Sequence, residues 1–254
     1  MAEDLEKLYA RLSLATEETT MISSSPLAQD SVDLTLCLAG KILAPCNISS
    51  DQILSLFKRL WNPKGSFSCK TVHDNTFLFS FGNILDKRRV IVGSPWLFDI
   101  HLLVINEVVT DVKPSTMVFS HCEFWIQLHQ LPLGLMNRGF AEYVGNSIGE
   151  FIDVDADPSG SVIGKIVRIK VKMDITKPLL RVLHAEYHGQ KHPLFLKYER
   201  LPNFCFHCGI IGHVVKTVNN ISSIPRPPLH HPNTELGSAL PPVLTPHLLP
   251  VVPR

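Results

Sequence analysis

Residues 32 to 104 alternate between strand-like and helical periodicity, and that alternation constrains the fold more than any other feature of the chain. Apolar residues dominate Val32 to Leu43, as in a buried strand. Ser49-Ser50-Asp51-Gln52 has the pattern of a helix start, in which a Ser and a Gln three residues on satisfy each other's free amides. Ile53, Leu56, Phe57, Leu60 and Trp61 then fall on one helical face, which predicts a helix from about Ser50 to Trp61 ended by Pro63 and Gly65. Phe67 to Val72 and Thr76 to Phe81 read as a hairpin around the turn residues His73-Asp74-Asn75. A second helix from about Asn83 to Val92 stops at Gly93 and Pro95, and Phe98 to Val104 supplies a last strand. The order β-α-β-β-α-β is the ferredoxin-like arrangement: two helices cover one face of a four-stranded antiparallel sheet, and the other face is left available. Phe77, Phe79 and Phe81 share a strand face and are assigned to the core rather than to base stacking.

Beyond this domain, Phe124, Ile126 and Leu128 alternate with polar neighbours as in a strand. Pro132 to Gly134 turns into a helix carrying Phe140, Ala141, Val144 and Ile148, and strand patterns resume over Ile166 to Ile175 and Arg181 to Tyr198. The expected class is α+β. A helix (Leu5, Leu8 and Leu12 at helical spacing) and linker occupy residues 1–30, a ferredoxin-like domain 31–110, and a smaller β-rich basic subdomain 111–203. A short zinc-knuckle-like loop follows at 204–218, then a disordered Pro-rich tail at 219–254, which holds nine of the 19 prolines. The acidic start lacks the pattern of a signal peptide, and no apolar run reaches membrane-spanning length. The expectation is an intracellular protein, nuclear or cytoplasmic and not secreted, without a membrane partner. In that compartment the six cysteines read as thiols or metal ligands rather than disulfides.

A formal net charge of +1 conceals a strong asymmetry: residues 1–159 carry 12 Lys and Arg against 19 Asp and Glu, whereas residues 160–220 carry 10 against 3. A local basic surface attracts phosphates whatever the total charge. Within it, Lys165 to Lys172 places Arg168, Lys170 and Lys172 on one strand face and Val167, Ile169 and Val171 on the other. Cations about 6.5 to 7 Å apart suit a phosphate backbone, although a solvated outer face has the same pattern. Lys177, Arg181, Lys191, Lys197 and Arg200 favour phosphate binding.

Cys205-Phe206-His207-Cys208-Gly209-Ile210-Ile211-Gly212-His213 contains C-x2-C-x4-H, three quarters of the C-x2-C-x4-H-x4-C zinc knuckle. Two thiolates across a tight turn and an imidazole beyond them occupy three corners of a zinc tetrahedron, and the glycines let so short a loop close. Position 218, where the last cysteine belongs, is Val218, which cannot ligate, so zinc is expected to be weak or absent. His207, His230 and His231 are the available substitutes; a chance Cys pair beside a His is the bland alternative. Phe206 sits where a knuckle presents an apolar side chain to a single-stranded base, with core filling as the other reading.

The stretch KYERLPNFCFHCGIIGH, with PWLFDIHLLVIN, FWIQLHQLPLGLMN, IGEFIDVD and MDITKPLLR upstream, resembles a plant domain of unknown function that precedes a CCHC zinc knuckle in LINE-type retrotransposon-derived proteins. The likeness spans roughly residues 30 to 217. It implies nucleic-acid binding, zinc held by Cys205, Cys208 and His213, and no catalysis. The chain departs from it at Val218 and beyond Lys216. No phosphate-binding loop, nucleophile elbow, H-E-x-x-H helix or dinucleotide fingerprint is present, and Asp153-Val154-Asp155-Ala156-Asp157 fails as a calcium loop because Pro158 and Gly164 stand where a Gly and a Glu are required. The expectation is thus a non-enzymatic protein binding single-stranded nucleic acid, mainly through phosphates. Its contacts would be Arg168, Lys170, Lys172, Lys177, Arg181, Phe206 and Lys216. The alternative is a protein-interaction or self-association module with an inert knuckle.

Overall fold

A computed structural model of the chain describes residues 33–109 and 112–214. The Leu5 to Leu12 helix, Lys216, Val218 and the Pro-rich tail lie outside these residues. The first body runs β1 (Cys37–Ile42), α1 (Ser50–Trp61), β2 (Phe67–His73), β3 (Thr76–Phe81), α2 (Ile84–Val92), β4 (Trp96–Phe98) and β5 (His101–Glu107). Its antiparallel sheet has the order β2-β3-β1-β5-β4, which is ferredoxin-like with one strand added at the edge. The extra strand arises because the run expected as a single strand from Phe98 turns at Asp99, whose φ is 54°, and pairs back on Trp96–Phe98. The first strand also starts late, at Cys37, after a single 3-10 turn over Leu34–Leu36.

Helix α1 begins as its sequence prescribes: the Ser49 amide donates to Gln52 Oε1 at 3.3 Å and the Gln52 amide to Ser49 Oγ at 3.4 Å. It ends one residue before Pro63, on Asn62 in the left-handed region with its amide donating to Lys58 O at 3.1 Å. Ile53, Phe57 and Trp61 then meet Leu38, Phe77, Phe79, Phe81 and Leu103 in one core. The phenylalanine stripe is fully engaged there, with Phe57 and Trp61 packed edge-on against Phe79.

The second body comprises β6 (His121–His129), α3 (Arg138–Ile148), β7 (Glu150–Val154), β8 (Val167–Asp174), β9 (Val182–Tyr187) and β10 (Gln190–Tyr198). Its sheet has the order β7-β8-β6-β10-β9, which is the order of the first sheet when strands are counted from β6. Helix α3 follows the first strand as α1 does. Where α2 stands in the first body, the second has only the segment 175–181 between β8 and β9. The β-rich subdomain therefore repeats the strand order of the first with one helix fewer.

One expectation is corrected: the helix-free face of the first sheet is not left available. Ala39, Leu102 and Val104 point away from α1 and α2, yet are at most 2% exposed. Leu102 and Val104 join the core of the second body with Phe124, Ile126 and Ile169. Beside Ala39 lie Val109, Val112, Met117 and Phe119 of the connecting segment, and Asn106 Nδ2 donates to Val118 O at 2.8 Å. The cause is the missing helix. A sheet with one helix keeps bare apolar area, and burying it against the neighbouring sheet is favourable by roughly 25 cal/mol per Å².

Candidate metal centre and its surroundings

The strand β10 ends at Tyr198, and the chain then runs along the junction of the two bodies before entering the knuckle. The Glu199 amide donates to Trp125 O at 2.9 Å and the Asn203 amide to Ile100 O at 3.0 Å. The knuckle loop closes on itself through the Gly209 amide to Cys205 O at 2.7 Å, the Cys205 amide to Ile210 O at 2.9 Å, and a bridge between Phe204 and Ile211. Gly209 and Gly212 have φ of +76° and +95°, which only glycine adopts without strain. Ile211 is 5% exposed and belongs to the second core, and Leu179 donates its amide to Gly209 O at 3.0 Å. The loop is thereby seated on the segment 175–181 and helps cover the apolar face that lacks a second helix.

Cys205, Cys208 and His213 each offer a ligand atom, all within 4.8 Å of one another, and Cys208 Sγ lies 3.2 Å from His213 Nε2. Two ligands on one zinc ion stand roughly 3.5 Å apart, so the group fits three corners of a tetrahedron with little movement. Both sulfurs are buried. Burial pushes the Cys208 thiol up. At Cys205 burial acts in the same sense, but the amides of Cys208 and His207 directed at the sulfur outweigh it and hold the thiol below its ordinary range. When bound, zinc supplies structural cross-linking here. His207 is exposed and does not belong to the ligand group. Phe206 is 85% exposed, with its ring centroid 4.7 Å from that of Phe204.

The basic strand is committed to partners within the fold. Arg168 donates from Nε and Nη2 to the two carboxylate oxygens of Glu199, each at 2.8 Å, and from Nη1 to Asp155 at 3.1 Å, while its Cζ lies 4.0 Å over the Trp125 ring. Lys170 is 6% exposed and reaches Glu123 at 2.8 Å and Val92 O at 3.1 Å. Lys172 faces Glu150 at 3.7 Å, and Lys177 faces Asp174 at 3.3 Å; both lysines remain largely accessible. Arg181 is exposed at the start of β9. The pairing partners Glu123, Glu150, Asp155 and Glu199 could not be matched to the cations from sequence alone, because strand register sets only Glu150 opposite its partner Lys172, while Glu123 reaches Lys170 diagonally and Asp155 and Glu199 arrive from the segments after β7 and β10. Among the acidic triplet, Asp155 serves Arg168, Asp153 lies 3.7 Å from Arg138, and Asp157 accepts the amides of Ser159 and Ser161 in its own turn.

Fold and site together define an α+β protein of two ferredoxin-like sheets with a short Cys-Cys-His loop seated on the second. Residues 30–116 match the family of a domain of unknown function (DUF4283), and residues 173–220 match a zinc knuckle family. The chain thus carries a DUF4283 domain followed by a zinc knuckle. No curated protein matches it. Among solved structures, the RNA binding domain of Hrp1 in complex with RNA is similar at 11% identity over 65% of this chain and 96% of that chain, with a TM-score of 0.27. The first two RRM domains of yeast poly(U) binding protein (Pub1) are similar at 9% identity over 64% and 98%, with a TM-score of 0.22. Likenesses of that size carry nothing about what this chain binds. No helix among the described residues is long and apolar enough to cross a membrane.

Proposed function

We propose that this chain is a non-enzymatic, retroelement-derived protein that binds single-stranded nucleic acid, with its knuckle as a primary contact. The observation that carries this reading is Phe206, which stands 85% exposed on a loop whose backbone is closed by its own hydrogen bonds and docked through Ile211. Packed on Phe204 and otherwise exposed, this phenylalanine offers a stacking face to an unpaired base, worth about 1–3 kcal/mol per base. Accessible Lys172, Lys177 and Arg181 supply phosphate contacts on the same basic segment. Arg168 and Lys170, held by carboxylates, contribute less. Zinc sits on Cys205, Cys208 and His213 in this reading, weakly, because Val218 replaces the fourth ligand.

The test is a titration of a labelled single-stranded oligonucleotide across ionic strengths, with and without added zinc. Binding should weaken steeply with salt, and Phe206→Ala should lower affinity at least roughly fivefold. Salt-independent self-association with no oligonucleotide binding would instead favour the assembly reading.

A further inference from the structure

We infer that the helix-free face of the second sheet, centred on Phe195 of β10 and His129 of β6, is a second contact surface for single-stranded nucleic acid. The inference rests on the nucleic-acid reading above and assigns it a surface that the knuckle does not provide.

The two sheets share a strand order, but the helix-free face of the second stays open along β10 and β9, while its Lys170 end is closed against Val92 of the first body. In the first, Ala39, Leu102 and Val104 are buried under the connecting segment and the second body. In the second, strand register places Phe195 directly opposite His129 on one side and Val182 on the other, with Lys197 opposite Gln127 in the next row. Phe195 is 42% exposed and Val182 37%, and Pro193, His184, Lys191 and Lys197 on the same face are also exposed. Alternate residues of β10 thus present Lys191, Pro193, Phe195 and Lys197 in one line, about 6.5 to 7 Å apart.

That line interleaves an aromatic ring with cations, the composition that a flexible strand of stacked bases and phosphates requires. Lys191 and Lys197 pair with no carboxylate among the described residues, unlike Arg168 and Lys170 on β8, which lies beyond β6 in the sheet. Glu186 opposite Lys191 is the one acid in these rows, and it stands on the edge strand β9. At the far end of the face, Arg168 lies over Trp125 and is clamped by Glu199, which makes a rigid border to the surface. A protein partner would ask for a larger unbroken apolar area than Phe195, Val182 and Pro193 offer between two lysines.

The experiment measures affinity for a short labelled single strand at low and moderate salt, using the full chain and the variants Phe195→Ala, Phe195→Leu, Lys197→Gln and Phe206→Ala. Phe195→Ala should weaken binding at least roughly fivefold, and Phe195→Leu nearly as much, since leucine keeps the apolar area but offers no ring to stack on. Lys197→Gln should flatten the salt slope by about 0.7. Thermal melting should be unchanged in all four. If both Phe195 variants bind as the parent does while Phe206→Ala loses affinity, this surface is refuted and the nucleic-acid reading stands. If the parent binds no strand even at low salt, both fall. Self-association abolished by Phe195→Ala would then mark the face as an interface between copies.

Discussion

Lys170 illustrates how a residue's neighbours decide its role. Its ammonium is enclosed by Glu123 and the carbonyl of Val92, the last residue of α2, so it joins the second sheet to the first body. Removing one partner of a buried pair leaves the other charge uncompensated. Glu123 keeps about a quarter of its side chain accessible, which places the cost at the low end of the usual range. Lys170→Ala is therefore expected to destabilise the protein by about 3 kcal/mol, whereas Lys172→Ala, in an exposed pair, should change stability by less than about 0.5 kcal/mol. Urea denaturation of both variants checks this. Equal midpoints would mean that Lys170 is not a structural cation.

At the scale of elements, Asp86 joins the first turn of α2 to the α1–β2 connection. Its Oδ2 accepts the Lys64 and Gly65 amides at 2.9 and 3.0 Å and the Asn83 amide group at 2.7 Å, and its Oδ1 takes Arg89 at 3.0 Å. The Gly65 amide above all, then Asn83, the Lys64 amide and Arg89, hold the carboxyl below its usual range against the opposing effect of burial. A carboxylate whose folded pKa is depressed stabilises the fold above its unfolded value, and that contribution is lost as pH falls through the folded value. Asp86→Ala should thus cost about 3 kcal/mol at neutral pH, by orphaning two amides and a guanidinium. The difference between parent and variant should shrink in melts below about pH 3.8, the ordinary carboxyl value. A gap that stays constant from neutral to acid pH would exclude the charged cap.

Across the whole molecule, the knuckle closes the second core in the place of a helix. Ile211 is buried among residues of that core, so ordering the loop and burying the sheet are one process. Zinc binding should accordingly raise the melting temperature of the body, not merely tidy a surface loop. Val218→Cys, which restores the fourth thiolate, should increase zinc affinity at least roughly tenfold, about 1.4 kcal/mol, and enlarge the zinc-dependent rise in melting temperature. Competition with a chromophoric chelator, with a His230→Ala, His231→Ala variant alongside, measures the first effect, and calorimetry the second. A parent that already holds zinc as tightly as Val218→Cys would show that position 218 is not the defect.

Local sequence determined what local physics controls. The Ser49 capping box, the apolar face of α1, the His73–Asn75 turn and the Cys205, Cys208 and His213 spacing each depend on residues a few positions apart, and each was legible without coordinates. Strand alternation likewise told which side chains share a face. It could not tell what covers that face, because burial depends on which apolar surface elsewhere remains unsatisfied. Only the tertiary structure decided that a helix absent after β8 would draw Leu102, Val104 and Ile211 into the second core, closing the first sheet. It also decided that Glu199, Glu123 and Glu150 would meet the basic strand, since ion pairs across a sheet follow from register and from the packing of distant segments.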